Sequence, residues 1–61
     1  MKTKAELMLS ILDHIIEACN ELKDDALKKG QLSYAAGVID AIDLINVAKM
    51  VTASRAEVLD A

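Results

Sequence analysis

The chain is predicted to be all-α: an antiparallel helical hairpin with a short C-terminal helical segment, pairing with itself into a homodimeric four-helix bundle. Three observations carry that prediction. Apolar residues recur at alternating steps of three and four, the spacing of a helix face. Pro, Phe and Trp are missing and Gly occurs twice, a composition dominated by good helix formers. Hydrophobic residues make up 54% of only 61 positions, and a monomer of this length buries only about 60% of its unfolded surface. One cysteine and one histidine provide neither an intrachain disulfide nor a zinc cluster to hold a small core. Tight helix packing or a partner is left to do so.

Residues 1–61 read as one domain. Thr3-Lys4-Ala5-Glu6 has the form of a capping box, so the first helix is expected over about residues 3–29. Along it Ala5, Met8, Leu12, Ile15, Cys19, Leu22 and Ala26 follow a heptad seam. Leu9, Ile11, Ile16 and Ala18 widen that seam in the first half. Asp24 with Lys28, and Asp25 with Lys29, are favourably oriented pairs one turn apart near the negative end of the helix. Gly30 suits the left-handed position that closes a helix.

The turn spans 30–33, with Ser33 as the expected N-cap of the second helix. So short a link forces the two helices antiparallel. The second helix is expected over about 33–52, its seam at Tyr34, Val38, Ala41, Ile45 and Ala48. Gly37, Leu44 and Val51 line one flank, and Ile39, Ile42 and Met50 the other. An apolar arc so wide implies burial on more than one side. Ser54-Arg55-Ala56-Glu57 is a second capping box, restarting a helical segment over about 54–61. Val58 and Leu59 are expected to fold onto Leu7 and Ile11, or onto a partner chain.

The intrachain core is accordingly assigned to Met8, Leu12, Ile15, Cys19, Leu22, Val38, Ala41, Ile45 and Ala48. The oligomer interface is assigned to Leu9, Ile16, Gly37, Ile39, Ile42, Leu44, Met50 and Val51.

Chemistry-bearing residues are few. His14 stands on a polar face beside Ser10 and Glu17, reading as a solvated surface histidine rather than a metal ligand. Cys19, in mid-seam, reads as a structural thiol. Tyr34 reads as a ring closing the turn end of the core. Lys49 projects from an apolar side. It either snorkels, pairs with Asp13 or Glu17 of the first helix, or joins Tyr34 and Arg55 in holding a small anionic ligand at a subunit seam.

No phosphate-binding glycine loop and no nucleophile–base arrangement can be built. No catalytic residue, metal site or cofactor is therefore assigned. The net charge of −3 disfavours nucleic acid and anionic membranes as partners. Glu6 and Asp13 leave only Leu7 to Leu12 as an uncharged N-terminal run, too short for a secretory signal. Elsewhere charges interrupt every apolar stretch before the roughly 20 residues a bilayer needs, so the protein is expected in the cytoplasm.

In shape, the expected hairpin resembles the Rop-like class of dimeric helical hairpins, with no motif in common. That resemblance raises RNA binding as an alternative, through Lys2, Lys4 and the Lys28–Lys29 turn. RNA recognition draws on a basic face and stacking aromatics, and the sequence has neither. The function expected first is a small oligomeric interaction module, an adaptor, regulator or inhibitor whose partners are itself and another protein. Its size is that of accessory proteins of phages, plasmids and mobile elements.

Overall fold

A computed structural model describes residues 2–61. It is 87% helical, without strands among the described residues. The elements are α1 (Lys4–Lys28), α2 (Leu32–Ser54) and the single turn α3 (Ala56–Leu59). The two long helices pack side by side and α3 folds back across the open end of the hairpin.

The N-terminus of α1 is capped as its sequence dictates. Thr3 Oγ1 accepts from the Glu6 amide at 3.1 Å, satisfying one of the amides that a helix start leaves orphaned. A second orphan is met from far along the chain: the Ala5 amide donates to Asp60 Oδ1 at 3.0 Å. The C-terminal segment therefore packs in cis.

At the other end, Gly30 takes φ +72°. Its amide reaches Leu27 O at 3.1 Å, and the Gln31 amide reaches Ala26 O at 2.9 Å. These two bonds define a Schellman closure, which needs the left-handed backbone that glycine adopts at no steric cost.

Two expected caps are not formed. α2 begins at Leu32, with Gln31 at its N-cap making no side-chain bond, because the closure of α1 already fixes the backbone at Gln31 and leaves Ser33 inside the first turn. Ser54 ends α2 rather than starting α3, and its hydroxyl donates back to Val51 O at 2.9 Å. That back-bond engages the hydroxyl the second capping box requires.

The molecule is a slab, 46 × 20 × 8 Å. Its radius of gyration is 14.1 Å, against about 10.5 Å for a compact chain of this length. The buried residues are Ala5, Ala26, Ala35 and Thr52, and no large side chain is fully enclosed. The three alanines lie in the contact seam, at the two ends of α1 and the start of α2. Thr52 fits between the helices because its hydroxyl bonds the Ala48 carbonyl at 2.8 Å.

The contact seam differs from the expected one by a rotation. On α1 the residues turned inward are Ala5, Leu9, Leu12, Ile16, Cys19, Lys23 and Ala26, while Met8, Ile15 and Leu22 are 41%, 42% and 50% exposed. On α2 they are Ala35, Val38, Ile42, Ile45, Lys49 and Thr52, with Ala41 and Ala48 half-buried alongside and Tyr34 54% exposed. Met8, Ile15 and Leu22 thus lie outside the intrachain contact, and Tyr34 does not close its turn end. Leu9, Ile16 and Ile42, assigned to an oligomer interface, are half-buried within the chain instead.

The reason is a degenerate pattern. Two heptad seams share Ala5, Leu12, Cys19 and Ala26, and both are apolar at 8/9 and at 15/16. The choice between them falls to α2, where Ala35 rather than the bulkier Tyr34 fits the close approach beside the turn. Val58 is exposed while Ala56 and Leu59 of α3 are half-buried, and Leu7 and Ile11 are 53% and 52% exposed. The contact expected of Val58 with Leu7 and Ile11 is therefore not made, and the Asp60 carboxylate ties the segment to the start of α1.

Candidate interaction surface

One ion pair marks which broad side of the slab is which. Lys49 Nζ lies 2.5 Å from Asp13 Oδ1, linking α2 to α1. This is the second of the alternatives that Lys49's position allows. Its aliphatic stem lies along the seam and its ammonium meets the carboxylate at the edge. With side-chain exposures of 33% and 54%, the pair is largely solvated and is worth roughly 0.2–1 kcal/mol. Lys23 follows the same pattern, its ammonium 3.2 Å from Asn20 Oδ1 and 3.7 Å from Asp24 Oδ1.

Advancing about 100° per residue from the seam, the opposite broad side is built almost entirely of apolar residues. From α1 it takes Met8, Ile11, Ile15, Ala18 and Leu22, and from α2 Gly37, Ala41, Leu44, Ala48 and Val51, while Asp40 and Val47 point away from α1 at the outer edge. The large side chains among these are 41–72% exposed. Residues 8, 11, 15, 18 and 22 step by three and four, as do 37, 41, 44, 48 and 51. Each helix therefore carries a second complete seam, and the hairpin leaves both open on the same side.

The assigned interface residues divide accordingly. Gly37, Leu44 and Val51 belong to the open side. Ile39, 43% exposed, and Met50, 72% exposed, lie on the Lys49–Asp13 side beside Asn46 and Asp43. Gly37 has no atom within 4 Å of where a Cβ would stand, so nothing within the chain presses on it. Sequence reasoning missed Met8, Ile11, Ile15 and Leu22 as open-face residues. Their three-and-four spacing was the available signal.

The chemistry-bearing residues do not converge. Lys49 is engaged by Asp13, while Tyr34 and Arg55 sit 21 residues apart on the other side of α2, about 30 Å along its axis. His14 Nδ1 donates to Ser10 O at 2.7 Å, an internal bond within α1. Lys29 pairs with Asp25 at 2.9 Å, whereas the expected partner of Lys28, Asp24, faces Lys23 instead. Cys19 is a half-buried free thiol in the seam. Among the described residues, no three potential metal ligands cluster and no helix is long and apolar enough to cross a membrane.

What these features define is a two-helix hairpin with one polar and one apolar broad face. The chain matches no protein-family model, no curated protein and no solved structure with which it was compared.

Proposed function

We propose that this chain is a small, non-catalytic helical interaction module that assembles through its apolar face and acts by binding another protein. The observation that supports it is the pair of open seams. Contiguous apolar patches of this extent are rare on free monomers and mark surfaces that are covered in use. The polar side, with Asp13, Glu17, Asp24 and Asp43 around the Lys49 ion pair, stays available to a second partner after the apolar side is covered.

The test is association itself. Sedimentation of the purified chain at micromolar concentration is expected to give a species heavier than 6.6 kDa, with helicity that falls on dilution. A fully helical monomer at those concentrations refutes the proposal.

A further inference from the structure

We propose that the occupant of the apolar face is a second copy of this chain, docked antiparallel, so that the turn of each hairpin lies over the termini of the other. This rests on the assembly reading above and adds the identity and the orientation of the partner.

Area argues for a second copy. The chain exposes 4620 Å², about 750 Å² more than a folded monomer of 6.6 kDa is expected to expose. A standard interface removes about 800 Å² from each partner. The broad face, 46 by 20 Å, is large enough to supply that area. Its apolar stripe runs along both helices, so the same patch on two copies can cover itself in a two-fold contact. Two slabs stacked on it bring four helices to normal packing distance.

Charge and shape argue for the antiparallel arrangement. Heights along the hairpin follow from about 1.5 Å per residue measured from the turn. In a parallel dimer α1 stacks on α2 of the second copy, and residues of equal height meet. Glu21 then faces Asp40, and Lys4 lies within a turn of Arg55, so like charges oppose at two heights along the stack.

The antiparallel dimer stacks like helices about a two-fold axis at mid-length. Leu44 then lies near its own counterpart, and Val51 of one copy seats on Gly37 of the other, where space for it is open. Arg55 comes over the exposed Tyr34 ring of the second copy, a cation–π geometry. Each of these contacts occurs twice by symmetry.

Orientation is read with a single nitroxide at Gln31→Cys in a Cys19→Ala background, by pulsed dipolar spectroscopy on the full chain. Antiparallel docking puts the two labels at opposite ends, roughly 40–45 Å apart. A separation under about 20 Å overturns the orientation while leaving the dimer intact. No dipolar modulation at concentrations where the chain is helical overturns the dimer, and with it the assembly reading.

Arg55→Glu in the otherwise unchanged chain gives an independent measurement that needs no cysteine substitution. It is expected to raise the dimer dissociation constant roughly fivefold through loss of the Tyr34 contact. A lower dissociation constant would mean that Lys4–Arg55 repulsion had been relieved, and would overturn the antiparallel arrangement.

Discussion

Asp60 is the residue on which the return of the chain depends. It is one position from the last residue, exposed, and 55 positions from the amide it accepts. A carboxylate there meets both an orphan donor and the positive end of the α1 dipole. Asp60→Ala is expected to cost about 1 kcal/mol, lowering the melting temperature by roughly 4–8 °C. Asp60→Asn keeps an acceptor and is expected to lose only part of that, and thermal melts of the two variants separate the bond from the charge. Ala26, 1% exposed, marks the other extreme, a side chain with no room to grow. Ala26→Leu is expected to destabilise by about 1–3 kcal/mol through overpacking. Ala36→Leu, on an exposed position of α2, is expected to change stability by less than about 0.5 kcal/mol. Denaturant midpoints measured at one protein concentration check both.

At the scale of elements, the two ends of α1 were the most legible part of the sequence, while the caps expected at Ser33 and Ser54 were not formed. Thr3 and Gly30 act locally, through bonds to residues three to five positions away, and a sequence displays such partners directly. Gly30→Ala is accordingly expected to cost about 1–2 kcal/mol, since φ +72° places a Cβ against the following carbonyl. Isothermal denaturation measures it. The rotation of α1 was less legible, because adjacent apolar pairs at 8/9 and 15/16 satisfy two seams equally well and only α2 distinguishes them. The Lys49–Asp13 pair was foreseeable as one choice among three because hairpin geometry brings those heights together. Asp60 was not foreseeable: its partner amide is 55 residues away, and α3 carries no pattern that points to it. The rotated seam yields a discriminating pair of variants. Ile16→Glu places a charge between the two helices and is expected to abolish cooperative unfolding. Ile15→Glu, one position along, is expected to weaken assembly, so that helicity is lost on dilution at a higher concentration than in the unchanged chain but returns when the chain is concentrated. Circular dichroism with sedimentation tells these outcomes apart.

At the scale of the whole molecule, the shortage of interior and the surplus of apolar surface are one fact seen from two sides. A hairpin two helices wide gives each helix only one neighbour, so a helix apolar over a wide arc must leave part of it uncovered. Stacking a second hairpin gives each helix a second neighbour and encloses Met8, Ile15, Leu44 and Val51 together. Stability then depends on concentration, because folding and association become one equilibrium. Tenfold dilution changes the association term by about 1.4 kcal/mol. With the unfolding entropy of two chains of this length, the melting temperature is expected to fall by about 5 °C. Leu44→Glu, which puts a carboxylate at the centre of the apolar face, is expected to lower the melting temperature and abolish its dependence on concentration. Met50→Glu, equally exposed at 72% but on the opposite side, is expected to retain that dependence. Melting curves of the three proteins over a hundredfold concentration range decide the matter. Equal loss in both variants would mean that the uncovered side is not the one through which the chain assembles.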